Sequence, residues 1–143
     1  GKSILARAIH GWSKRHQKPL GVISCPSLPE NLLESELFGH VKGAYTGAVR
    51  DNSGRIAACD GGTLLLDEIG EMPAELQAKF LRALEGQPFE RLGGNKPIQT
   101  NVRVIAATHQ NLEERARQGL FREDLFHRLN AKTHGDVETK QLK

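Results

Sequence analysis

Little in this sequence supports a disulfide scaffold, a zinc module or a membrane protein. Only two of the 143 residues are cysteine, Cys25 and Cys59, and they form no C-x-x-C pair. A disulfide framework and a zinc ribbon are therefore excluded, and a reducing cytoplasm is the expected setting. The six histidines are scattered and no H-E-x-x-H occurs. No apolar run approaches about 18 residues, so no membrane-spanning helix is expected. There is no apolar signal region at the start. Gly1 stands where an initiator Met would, as expected of a chain that starts inside a longer frame or was processed. No internal repeat is present. Net charge is only +3, with the two signs interleaved. A nucleic-acid footprint needs a denser basic cluster than Lys14, Arg15, His16 and Lys18, which read as a solvated helix end.

What is present is a regular alternation of apolar patterns. Ser3 to Arg15 carries Ile4, Leu5, Ala8, Ile9 and Trp12 at helical spacing. Leu20 to Cys25 reads as a buried strand between two prolines. Ser27 and Glu30 match a capping box ahead of Leu32, Leu33 and Leu37. Residues 39–54 read as a glycine-rich loop. A second apolar run, Gly62 to Ile69, ends in Asp67 and Glu68. Pro73 then opens a helix along Leu76, Phe80 and Leu84, closed by Gly86. Gly93 and Gly94 sit between short β-like runs and suggest a hairpin. Val102 to Thr108 is a third apolar run. Asn111 with Glu114 reads as a helix cap, Gly119 as the stop, and Phe121, Leu125 and Leu129 as a final helical face. Apolar strands alternating with helices predict an α/β fold with a parallel sheet. Ligands of such sheets bind at the carboxyl ends of the strands, which directs attention to Asp67-Glu68 and Thr108-His109.

Four segments carry chemistry. Gly1-Lys2-Ser3 at a helix start matches the end of a P-loop: Lys for the β/γ-phosphates, Ser for Mg2+, and helix amides for the phosphates. An acidic pair at the tip of an apolar strand suits a Mg2+-dependent nucleoside triphosphatase. Asp67 would hold the metal and Glu68 would polarise the attacking water. Arg122 and Arg128 read either as surface ion pairs with Glu123 or Asp124, or as fingers reaching a neighbour's nucleotide. If both lie on one helix they point roughly 120° apart. Gly43, Ala44, Tyr45, Thr46, Gly47 and Ala48 read as a projecting binding loop with an exposed aromatic at its tip.

Together these segments resemble the AAA+ ATPase domain of bacterial enhancer-binding proteins, the activators of sigma-54 RNA polymerase. The resemblance runs from residue 1 to about Asn130. It rests on Glu34 to His40, Gly43 to Ala48, Asp60 to Ile69 and Phe121 to Asn130. Thr108 to Leu112 looks like the nitrogen-regulation branch, and Gly11 to Arg15 like response-regulator members of the alginate type. The resemblance implies a P-loop AAA+ three-layer sandwich and ATP with Mg2+ as cofactors. It implies Gly1, Lys2 and Ser3 as the end of Walker A, and Asp67 and Glu68 as Walker B. Thr108 and His109 take the sensor I position, and Arg122 and Arg128 match trans-acting arginine fingers. Residues 43–48 match the loop that grips sigma-54, and the hairpin at Gly93-Gly94 the second pore-facing loop. The implied partners are the sigma-54 RNA polymerase holoenzyme and further copies of the chain in a ring, usually a hexamer. DNA contact is implied only through a separate domain.

Departures from that family accompany the resemblance. Tyr45 replaces the usual Phe. Ser24 stands where Asn is usual as the switch partner of Glu68. Ala57 stands where a Glu is common, which removes a partner for Arg91. The resemblance covers a domain of residues 1–130, lacking the family's first and last core strands and its helical lid. Residues 131–143 diverge, have no apolar run and read as a disordered tail. The flank of the strand at 102–108 is then expected to be an open edge, and ATP binding by the chain alone to be weak or absent. The alternative reading is a non-catalytic fragment that keeps only the sigma-54-contacting loop.

Overall fold

Each of the three apolar runs becomes a strand, and the strands lie side by side in parallel. In the computed structural model, residues 2–130 and 139–142 are described. β1 spans Leu20–Ser24, β2 Thr63–Asp67 and β5 Arg103–Ala107. Two short strands, β3 (Phe89–Glu90) and β4 (Pro97–Ile98), form the hairpin expected around Gly93 and Gly94. The sheet order is β1-β2-β5-β6, with β6 at Thr139–Leu142. Its register places Ser24 beside Asp67 and Asp67 beside Ala107.

The helices are α1 (Lys2–Gly11), α2 (Glu30–Phe38), α3 (Gly54–Ala58), α4 (Ala74–Leu84), α5 (Leu112–Arg117) and α6 (Glu123–Asn130). Strand residues alternate between the two faces. Leu64 and Leu66 join Ile23, Val104 and Ala106 in a large core with Leu33, Leu37, Phe38, Phe80, Leu112, Leu125 and Leu129. Leu65, Ile105 and Ala107 point the other way and pack with Ala6 of α1. Among the described residues, one helix on one face and five on the other make the expected three-layer sandwich. β2 and β5 are buried along almost their whole length because both of their faces are covered, whereas β1 leaves Val22 36% exposed.

Four local expectations are corrected. Of the apolar stripe Ile4, Leu5, Ala8, Ile9 and Trp12, Ile9 packs toward the sheet, but Ile4, Leu5 and Trp12, which follows α1, are 71%, 47% and 85% exposed. The helix instead buries Ala6 and His10. A small residue lets the helix lie close to the sheet, and His10 bonds Thr63 Oγ1 at 2.8 Å and the Lys18 carbonyl at 2.9 Å. No capping box forms at 27–30: Pro29 is the N-cap of α2, and Ser27 Oγ donates to the Ser24 carbonyl at 2.8 Å. Arg15 is no solvated helix end. It donates to the Gly62 and Asn101 carbonyls and to Asn101 Oδ1. The loop expected over 39–54 closes at Gly54, where α3 begins, and that helix gave no apolar period to read.

The edge of β5 is not open. β6 pairs with it in parallel from Val104↔Thr139 to Ala107↔Leu142. The row of amides and carbonyls on an edge strand takes a partner strand whatever its side chains, so apolar patterning gave no sign of it. Residues 131–138 and 143 of the expected tail lie outside the described residues. The cap at Asn111 forms as read, its side chain accepting from Glu114 N–H at 3.1 Å.

Candidate functional site

Parallel strands deliver their last side chains to a single edge, and the acidic pair stands there. Asp67 ends β2, and Glu68 follows with φ 53 and ψ 53. Among the described residues it is the sole non-glycine residue with positive φ. A left-handed Glu costs roughly 1–3 kcal/mol and persists where surrounding contacts enforce it. The enforcement is visible. Gly70 packs against Gln110 and lies close to Thr108 Oγ1, with no room for a Cβ. Gln110 Nε2 bonds Glu71 Oε1 at 2.5 Å, and Gln110 N–H donates to Thr108 Oγ1 at 3.0 Å.

This lacing turns the Glu68 carboxylate toward the end of β5. Its Oε2 receives long contacts from Thr108 Oγ1 at 3.4 Å and from His109 N–H at 3.3 Å. Oε1 lies 3.4 Å from His109 Nε2. Bonds of this length are weak individually, and all three draw the carboxylate toward the end of β5. The side chain of Glu68 is 21% exposed and that of His109 80%. The edge therefore opens to solvent on the His109 side.

α1 points its amino end at the same edge. His10 meets Thr63 at the start of β2, while Ala6, one turn earlier, packs with Leu65, Ile105 and Ala107. The helix thus runs antiparallel to β2, and Lys2 and Ser3 open it on the Asp67 side. Free N–H groups at a helix start attract anions. Gly1 lies outside the described residues. Among the described residues no group of three His, Cys, Asp or Glu side chains could hold a metal alone. A cation at Asp67 would draw further oxygen ligands from a nucleotide or water, which is how Mg2+ is commonly held.

Cys25 follows β1 beneath this edge and is 3% exposed. Burial, then the carboxylates of Asp67, Glu68 and Glu71, push its thiol up to about 12. Cys59 is raised as well, chiefly by burial. Both are free thiols. We expect each to react slowly with a thiol reagent at pH 7.5 in the native protein and rapidly once unfolded. Between pH 9 and 12 the unfolded chain loses the Cys25 proton and the folded chain keeps it. Stability therefore falls as pH rises through that window, and denaturation midpoints at pH 8 and pH 10 check the sign.

The arginines stand apart from the acidic pair. Arg122 precedes α6, so the helical angle between the two does not apply to it. Its guanidinium forms a two-point pair with Asp124, at 3.0 Å and 2.8 Å. That hydrogen-bonded pair raises the Arg122 pKa and lowers that of Asp124. Both side chains are about half exposed, and such a pair adds little stability. Arg128 lies on α6 and turns inward, donating to the Leu84 carbonyl at 3.3 Å. Its Nε is buried without a hydrogen-bond partner among the described residues.

The loop at 43–48 rises from a closed base. His40 and Asn52 exchange backbone bonds at 2.9 Å and 2.8 Å, and Val41 N–H reaches the Leu92 carbonyl at 3.1 Å. The ring of Tyr45 is not the exposed tip expected. It is half-buried and stands edge-on to His40 at 5.2 Å, and His40 Nδ1 is bonded to Ser35 Oγ at 2.6 Å. Val49 is the exposed apolar residue here, at 74%. Gly93 and Gly94 pack on Ala44 and Val41, which joins the hairpin to the loop. Arg91 Nε is buried without a hydrogen bond among the described residues. Sequence reasoning missed His40 and Gln77. Both are buried polar residues, a property that periodicity does not reveal.

Comparison with known proteins matches this arrangement. The sigma-54 interaction domain family matches residues 1–133. The DNA-binding transcriptional regulator NtrC of Escherichia coli K12 is 53% identical over 130 residues, which cover 91% of this chain and 28% of NtrC. The crystal structure of NtrX from Brucella abortus superposes with a TM-score of 0.84 at 40% identity, covering 100% of this chain and 30% of NtrX. The same protein in complex with ATP gives 0.80 at 41% identity, covering 99% of this chain and 30% of that one. The chain thus spans under a third of the length of these relatives. Among the described residues no helix is long and apolar enough to cross a membrane. With the match running over nearly its whole length, this chain belongs to the sigma-54 interaction domain family of AAA+ P-loop proteins.

Proposed function

We propose that this domain hydrolyses ATP with Mg2+ and uses the cycle to remodel the sigma-54 RNA polymerase holoenzyme for promoter opening. Glu68 is the observation that carries the reading. A partly buried carboxylate, carried on a left-handed backbone, sits at the carboxyl edge of a parallel sheet, turned toward the end of the next strand. The ATP complex of NtrX, a protein 41% identical to this chain, supports the same reading.

The residues present fit the cofactors. Asp67 offers hard carboxylate oxygens for Mg2+, together with Ser3, and Lys2 suits the β/γ-phosphates. When bound, Mg2+ supplies neutralisation of the charge that gathers on the transferred phosphoryl group. Glu68 polarises the attacking water, and Thr108 with the His109 N–H sets the direction of its carboxylate. Gly1 takes part in phosphate binding. Arg122 belongs to the surface that meets the next copy in a ring, usually a hexamer, and Arg128 reaches that copy only by turning out from the Leu84 carbonyl. A head-to-tail ring brings one subunit's arginine to its neighbour's phosphate. Residues 43–48 contact sigma-54, and DNA is met through a separate domain. The cytoplasm is the setting for such a partner.

The test is Mg2+-dependent phosphate release by the full protein, with capture of purified sigma-54 measured alongside. Turnover that disappears with EDTA and returns with Mg2+ is expected. Tyr45→Ala is expected to reduce sigma-54 capture at least about tenfold, as loss of a central aromatic contact does. Absence of hydrolysis by the full protein in the presence of sigma-54, or undiminished capture by Tyr45→Ala, would contradict the reading.

A further inference from the structure

Gln77 faces the protein interior from α4, beside Leu76 and Phe80, where an apolar side chain is the default. It is 1% exposed and carries an amide. Burying an amide costs stability unless its bonds are made. Here they are made, and to two separate segments. Nε2 donates to the Met72 carbonyl at 2.9 Å and, more weakly, to the Leu120 carbonyl at 3.4 Å. Oε1 accepts from the Arg122 N–H at 2.8 Å.

The two segments are the ones that matter to the proposed chemistry. Met72 closes the short 3-10 turn that begins directly after Glu68. Leu120 and Arg122 lie in the stretch between α5 and α6. The Arg122 carbonyl already accepts from Phe126 N–H in the first turn of α6, at 3.0 Å. Its N–H faces Gln77. The guanidinium is on the surface, paired with Asp124, and this backbone fixes the point from which the side chain leaves the domain.

We infer that Gln77 is a positioning residue, tying the segment after Glu68 to the backbone of Arg122 so that Arg122 is aimed at the nucleotide of a neighbouring subunit. The inference rests on the ATPase reading above. Gln77 itself touches no nucleotide. A misplacement of about 1 Å at such a distance costs catalysis more than binding.

The test uses the full protein and mixed rings. Gln77→Met keeps the length of the side chain and removes all three bonds. Its turnover is expected to fall by roughly 10- to 100-fold, with ATP affinity within about twofold of wild type. Mixed in equal amounts with Glu68→Gln, it is expected to recover to about a quarter of wild-type turnover. A quarter of the interfaces in a random ring then pair an intact arginine with an intact acidic site. Mixed with Arg122→Ala, it is expected to recover nothing, because both partners lack a well-placed arginine.

Recovery with Arg122→Ala but not with Glu68→Gln would place the defect in the variant's own acidic site and overturn the inference. Recovery with neither, or wild-type turnover of Gln77→Met beside an inactive Glu68→Gln, would overturn it as well. Wild-type turnover of Glu68→Gln would instead overturn the ATPase reading. Should Gln77→Met fail to assemble, Gln77→Glu is read by the same mixing, since it keeps the acceptor for Arg122 and loses both donor bonds.

Discussion

Glu68→Gln is expected to lower ATP turnover by roughly 100- to 10,000-fold, the range for removal of a positioned general base. The amide is nearly the shape of the carboxylate, and it can still meet Thr108 and the His109 N–H through its oxygen. What it loses is the negative charge that polarises water. ATP affinity should change little, because Asp67 and the start of α1 are untouched. Phosphate release and equilibrium nucleotide binding, measured on the same preparation, separate the two effects. Equal losses in both would mean that Glu68 holds the nucleotide and does not act on water.

Gly54→Ala is expected to destabilise the domain by about 3 kcal/mol, enough to shift the denaturation midpoint clearly. Two costs combine. Gly54 has φ +82, where an L side chain is strained by about 1–2 kcal/mol. A Cβ there would also overlap the backbone of Gly39, with the Phe38 carbonyl carbon at 2.7 Å and the Leu37 oxygen at 2.8 Å. Overpacking against backbone costs about 1–3 kcal/mol. Gly39 mirrors it, with φ +86 and its own Cβ position blocked by Asn52 and Ser53. The two glycines face each other and let the chain cross itself beneath the loop at 43–48. Gly43 and Gly47 also have positive φ but open space around them. Alanine at either carries the strain alone and should cost about 1–2 kcal/mol. Urea denaturation of Gly54→Ala beside Gly43→Ala tests the distinction, and equal losses would show that the crossing is not tight.

The parts of this fold legible in the sequence are those where one pattern decides. Leu64, Leu65 and Leu66 are buried on both faces of a sheet, so an unbroken apolar run named β2 and, through its tip, the site. Asn111 satisfies an amide three residues on, which local spacing can state. Trp12 shows the limit of periodicity. A helical stripe says that a face is apolar, but the close approach allowed by Ala6 and the bonds of His10 decided which face met the sheet. Tyr45 shows another limit. Small neighbours marked a loop, yet its ring rests on His40, whose place depends on contacts with residues 52 and 92. β6 lay beyond reach because backbone pairing leaves no mark on side-chain pattern. Gln77 was unreadable for a related reason: its partners are carbonyls and an N–H up to 45 residues away.

Promoter opening is the measurement closest to the central claim, that the acidic edge drives work on sigma-54 polymerase. Open complexes formed by that polymerase would be counted with the full protein, with and without ATP and Mg2+, for wild type and for Glu68→Gln. The account predicts opening by wild type with ATP, none without it, and none with Glu68→Gln. Opening that persists with Glu68→Gln, or that needs no nucleotide, would contradict it.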